Sequence, residues 1–89
     1  MHMNLGDLKE LLISNSRGIN EEYTRLFHGR GNTYEGYRFL TVDSVDKVLF
    51  AVLFEPSNEE EALVSILCDL YAVEGKWDAL VLQQRYLPD

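Results

Sequence analysis

Apolar residues in this 89-residue chain recur at helical spacing in two stretches and at strand spacing in four. Behind Asn4, a good capping side chain, Leu5, Leu8, Leu11 and Leu12 follow one helical face. This predicts a helix ending at Asn15–Gly18, with Gly18 in the left-handed position that follows a helix. Three turns with a single leucine stripe do not persist alone, so this helix must dock on something. Ile19–Glu22 reads as a connector. Tyr23–His28 then predicts a strand, with Tyr23, Arg25 and Phe27 on one face and Thr24, Leu26 and His28 on the other. A second strand is expected over Arg38–Val42, where Phe39, Thr41 and Asp43 alternate against Leu40 and Val42. Asp43–Lys47 reads as a polar break. Val48–Phe54 is a continuous apolar run too short for a helix, expected to be a central strand covered on one face and paired at both edges.

Glu55-Pro56 stops that run, and Ser57 with Glu60 matches a capping box. The second helix is expected to reach about Val73, with Ala62, Leu63, Ile66, Leu67, Leu70 and Tyr71 as its apolar stripe. Glu59, Glu60 and Glu61 read as a solvated helix start, favoured there by the helix dipole. Gly75 closes the helix, and Asp78–Leu87 is the last strand, with Ala79, Val81, Gln83 and Arg85 opposite Leu80, Leu82, Gln84 and Tyr86. The order α-β-β-β-α-β predicts an α+β fold, a small mixed four-stranded sheet with the long helix packed on one face. Met1-His2 reads as a cloning scar, residues 3–18 as the N-terminal helix and residues 19–89 as a single α+β domain.

Between the first two strands, Gly29, Gly31 and Gly36 surround Arg30, Asn32, Tyr34 and Glu35, so three of the six glycines fall close together. Glycine permits positive φ and close backbone approach, so the cluster marks a shaped loop. Either the loop binds something, or it is a tight corner that places a neighbour. Gly29, Gly31, Gly36 and Asp43 are its expected structural residues.

Net charge is −7, which repels phosphate backbones at long range and disfavours autonomous nucleic-acid binding. The distribution tempers that conclusion. Arg17, Arg25, Arg30 and Arg38 lie in the first half, near the glycine turn, whereas the second half carries Glu55, Glu59, Glu60, Glu61, Asp69, Glu74 and Asp78. The single cysteine, Cys68, allows no internal disulfide and is expected to be an ordinary half-buried thiol on the second helix, consistent with a reducing cytoplasm. No apolar run approaches the about 20 residues of a membrane-spanning helix, and Asp7, Lys9 and Glu10 interrupt any signal-peptide pattern.

Few residue types here carry chemistry. His28–Thr33 offers backbone amides to an anion, but it lacks the lysine and the strand-to-helix setting of a nucleotide-binding loop. A structural corner is the stronger reading. His28 with Asp43 or Glu35 has the makings of an acid–base pair, yet no nucleophile or metal-ligand set accompanies it. Tyr23, Phe27, Tyr34, Tyr37 and Phe39 interleave with Arg25, Arg30 and Arg38, a pattern able to stack single-stranded RNA. Packing of a small sheet explains the same aromatics more economically, and Trp77 is expected in the core.

The residues also carry a family resemblance. Arg25, His28-Gly29, the span Gly31 to Gly36, Thr41-Val42-Asp43, the Val48–Phe54 strand, the Ala62–Tyr71 helix and Gln84-Arg85-Tyr86 follow one another in a characteristic order. Together they resemble the small β-β-β-α-β module ahead of the catalytic fold in class I S-adenosylmethionine-dependent methyltransferases of the ribosomal-RNA cytosine-5 type. Phe27 to Gly31 also resembles Phe-His-Gly-Arg-Gly in bacterial methyltransferases. The likeness spans roughly residues 23–88. It departs where the family favours glutamate after His-Gly and aspartate after the next glycine; Arg30 and Asn32 stand there. The resemblance implies a non-catalytic accessory domain, positioning a catalytic domain of the same polypeptide and contributing to RNA binding. S-adenosylmethionine would belong to the catalytic domain, because nothing in this chain reads as a cofactor-binding βαβ unit. Binding candidates are Arg25, His28, Arg30, Asn32, Tyr34, Arg38 and Arg85. The alternative is a free-standing interaction module, dimerising through a sheet edge or the leucine face of the first helix.

Overall fold

A computed structural model describes residues 4–18, 22–29 and 37–86. The elements are α1 (Leu5–Arg17), β1 (Tyr23–His28), β2 (Leu40–Val45), β3 (Val48–Leu53), α2 (Glu60–Glu74) and β4 (Ala79–Gln84). The strands form one mixed sheet in the order β1-β2-β3-β4. β1 with β2 and β2 with β3 are antiparallel, while β3 and β4 are parallel. A parallel pair needs a crossover connection, and α2 supplies it. No helix among the described residues is long and apolar enough to cross a membrane.

Local chemistry explains where the helices start and stop. Asn4 Oδ1 accepts from the Asp7 amide at 2.8 Å, and the Asp7 carboxylate accepts from the Asn4 amide, a reciprocal capping box on α1. Gly18 is not left-handed; its φ is −93°. The last turn instead tightens, with the Gly18 amide donating to the Asn15 carbonyl, and the Lys76 ammonium donates to the Ser16 carbonyl. These bonds satisfy helix-end carbonyls that a left-handed cap would otherwise serve.

The expected capping box on α2 does not form. Ser57 Oγ accepts from the Glu59 amide at 3.0 Å, one residue short of the Glu60 amide a capping box uses, and no side chain caps the helix. Glu60, the expected partner, is committed elsewhere. Its carboxylate accepts from the Tyr86 hydroxyl and from Gln84 Nε2, tying the start of α2 to the end of β4. Gly75 ends α2 at φ 63°, the left-handed conformation glycine adopts most readily.

Leu40, Val42, Leu49, Ala51 and Leu53 point to one face of the sheet, where they share a single core with Leu8 and Leu12 of α1 and Leu63, Leu67 and Leu70 of α2. Of the leucine face of α1, Leu8 and Leu12 are buried within the chain, while Leu5 and Leu11 are half-buried at its edge. Trp77 joins this core, and its Nε1 donates to Ser44 Oγ at 2.9 Å. β2 runs three residues further than its sequence pattern indicates, because Asp43 and Ser44 are buried strand residues rather than a polar break. The turn is only Asp46-Lys47, with Asp46 at φ 52°, a conformation aspartate tolerates better than most residues. Cys68 is exposed rather than half-buried, since it faces away from the Leu63–Leu67–Leu70 stripe.

β1 contains the largest departure from expectation. Arg25 pairs with Asp43 but Phe27 pairs with Val42, so the register slips and Leu26 is the extra residue of a β-bulge. Leu26 and Phe27 both turn into the core, each 1 % exposed. The bulge places Arg25 and His28 on the same face instead of on opposite ones.

Candidate binding groove

That shared face is the one the helices leave open. Strand register puts Thr41 and Asp43 of β2, Phe50 and Val52 of β3 and Val81 of β4 on it, alongside Arg25 and His28 of β1. Arg38, in the turn before β2, and Arg85, just after β4, complete the rim of a groove of about 580 Å³.

A polar network anchors one wall. Asp43 is only 7 % exposed, and its carboxylate accepts from Arg25 Nε at 2.8 Å, from Arg25 Nη2 at 3.4 Å and from the Tyr23 hydroxyl at 3.2 Å. The hydrogen bond to Asp43, reinforced by that carboxylate's charge, holds the Arg25 guanidinium above its ordinary pKa despite partial burial. Arg25 is thus a fixed cation. Its Nη1 lies 3.3 Å from His28 Nδ1. A guanidinium has no acceptor, so this contact assigns Nδ1 as the accepting nitrogen and leaves the neutral ring's proton on Nε2. His28 and Asp43 do not pair directly, because Arg25 occupies the position between them. Glu35, the other acid–base partner considered for His28, lies outside the described residues.

On the opposite wall the Arg85 guanidinium sits 5.9 Å from the centre of the Phe54 ring, and its Nε donates to Gln83 Oε1 at 3.3 Å. Arg38 is exposed and makes no ion pair with a described carboxylate. Glu55 also borders the groove.

Behind the groove, Gly29 is packed against the backbone that leads into β2. A Cβ built on it would lie 1.8 Å from the Tyr37 carbonyl oxygen, and its amide donates to the Leu40 carbonyl at 3.1 Å. Close backbone approach is the reason for glycine here, as the clustering of glycines implied.

Five of the residues selected from sequence therefore meet in one place: Arg25, His28, Arg38, Asp43 and Arg85. Arg30, Gly31, Asn32, Tyr34 and Gly36 lie outside the described residues. Among the described residues, the interleaved aromatics do not form a stacking surface as a set. Phe27 and Tyr37 are buried, and Phe39 packs against Tyr37 with ring centres 6.1 Å apart. The groove's exposed aromatic is Phe54, which the sequence pattern had assigned only to the central strand. Phe50, Val52 and Thr41 were missed as groove residues for a related reason. Period-two alternation separates the faces of a strand but does not say which face stays uncovered. Among the described residues no group of three His, Cys, Asp or Glu side chains is placed to hold a metal ion. Compared with protein-family models, curated proteins and solved structures, the chain matches none.

Proposed function

We propose that this chain is a non-catalytic accessory domain of the kind that precedes the catalytic fold in class I S-adenosylmethionine-dependent methyltransferases. In this reading it works in the cytoplasm, positions a catalytic domain of the same polypeptide and helps hold RNA through the open-face groove. The observation that carries the reading is convergence. Arg25, His28, Arg38 and Arg85 come from β1, the turn before β2 and the end of β4, yet they border one groove. The sequence resemblance supplies the class of parent protein. A four-stranded sheet is a rigid floor for such a groove, and the unpaired guanidiniums of Arg38 and Arg85 beside it suit phosphate groups. The net charge of −7 gives no long-range attraction to RNA, so contact depends on short-range pairing. Weak short-range contact suffices for a module tethered beside its partner, where effective concentration is high.

Heteronuclear NMR titration with S-adenosylmethionine and, separately, with a short single-stranded RNA tests the proposal. RNA is expected to shift Arg25, His28, Arg38, Thr41 and Arg85, and the cofactor to shift nothing. A cofactor response, or silence at those residues with RNA, overturns the reading.

A further inference from the structure

Fifteen acidic residues outnumber eight basic ones in this chain, so an unpaired cation is the exception to explain. Lys9 pairs with Asp69, Arg17 with Glu74 and Arg25 with Asp43, while Lys76 donates to the Ser16 carbonyl. Among the described arginines, Arg38 and Arg85 alone make no ion pair with a described carboxylate, and both border the groove. The remaining described cation, Lys47, is solvated in the β2–β3 turn.

We propose that the groove is a binding site for a phosphorylated, nucleotide-sized ligand, with Arg38 and Arg85 ligating the phosphate. The inference rests on the groove being the domain's binding surface, and it names the chemistry of what binds there. Arg85 is already oriented, its guanidinium over Phe54 and its Nε held by Gln83, so little freedom is lost when it closes on an oxyanion. Arg25, with Nε and Nη2 committed to Asp43, is charge-compensated, which leaves Arg38 and Arg85 as the groove's uncompensated guanidiniums. Planar guanidinium forks match phosphate oxygens in pairs, which a lysine ammonium does not. A lone phosphate does not fill about 580 Å³, a volume typical of small-molecule sites. Phe50, Val52 and Phe54 provide an apolar floor for the flat organic part. A free mononucleotide and one residue of an RNA strand share this chemistry.

The test uses uridine 5′-monophosphate, inorganic phosphate and a four-nucleotide single-stranded RNA, read by the Nε–Hε signals of the arginines. All three are expected to shift Arg38 and Arg85. The Arg38→Gln and Arg85→Gln variants should each weaken binding roughly tenfold, as loss of a charge-assisted pair does, while Lys47→Gln leaves it unchanged. RNA binding at least about tenfold tighter than the mononucleotide assigns the site to a strand, and equal affinities assign it to a free nucleotide; both support the site. Phosphate binding without RNA binding supports the site and removes the RNA reading. RNA or nucleotide binding that survives both arginine substitutions overturns the inference. So does silence with all three probes.

Discussion

Replacing Gly29 with alanine separates close approach from every other reason for glycine. The added Cβ would sit 1.8 Å from the Tyr37 carbonyl oxygen, whereas real Cβ atoms essentially never come within 3.0 Å of such an atom. Relief requires the end of β1 and the Tyr37 backbone to part by about 1.2 Å, the difference between those two distances. One hydrogen bond joins the end of β1 to this segment, Gly29 amide to Leu40 carbonyl at 3.1 Å, while the Leu40 amide to Tyr37 carbonyl bond at 3.2 Å closes the turn on the far side. A shift of that size, with Leu40 following Tyr37, stretches the first beyond useful length. Losing it at about 1 kcal/mol, with about 1–3 kcal/mol of overpacking, gives a loss of about 2–4 kcal/mol. A domain of this size has about 4–13 kcal/mol in total, so the variant should melt about 8–32 °C lower. Two further substitutions calibrate the result. Gly75 has φ 63° with open space around it, so Gly75→Ala should cost only the left-handed strain, about 1–2 kcal/mol. Gly18 is at φ −93° with its nearest neighbour at 3.7 Å, so Gly18→Ala should be neutral or stabilising by up to about 1 kcal/mol. Urea and thermal unfolding followed by circular dichroism rank the three. A Gly29→Ala loss below about 1 kcal/mol, or one smaller than that of Gly75→Ala, refutes the close-approach argument.

Three other outcomes follow from the same packing. Trp77→Phe leaves the Ser44 hydroxyl, 1 % exposed, without its indole partner and should cost about 1–3 kcal/mol in urea unfolding; an unchanged midpoint would show that Ser44 has another partner. Burial, with the Glu59 carboxylate nearby, raises the Tyr37 phenol, and a hydrogen bond to Glu60 raises that of Tyr86. Both should ionise above the usual value near 10 in an ultraviolet titration. Because the folded state holds these protons more tightly, the associated stability is fully present below about pH 10 and is lost as pH rises through the folded values. Cys68 is exposed on α2, so Ellman's reagent should label it in the native protein as fast as in urea; a protected thiol would contradict its placement.

Elements in this chain follow from local pattern. The leucine spacing of α1, the alternation in β4 and the apolar run of β3 each decide a conformation within a few turns or pleats, because helix and strand periods are properties of neighbouring residues. The sequence also selected Arg25, His28, Arg38 and Arg85 as binding candidates. It misjudged Asp43 and Ser44, whose polarity reads locally as a break in the strand. Their partners lie 18 and 33 residues away, in Arg25 and Trp77, and only the assembled fold brings them within hydrogen-bonding distance. The bulge at Leu26 has the same origin. It exists only against β2, and it turns Arg25 and His28 onto one face where alternation alone separates them. Residue spacing set the elements by itself. The groove required the strands to pair, since its walls come from segments that share nothing in the linear chain except the sheet that aligns them.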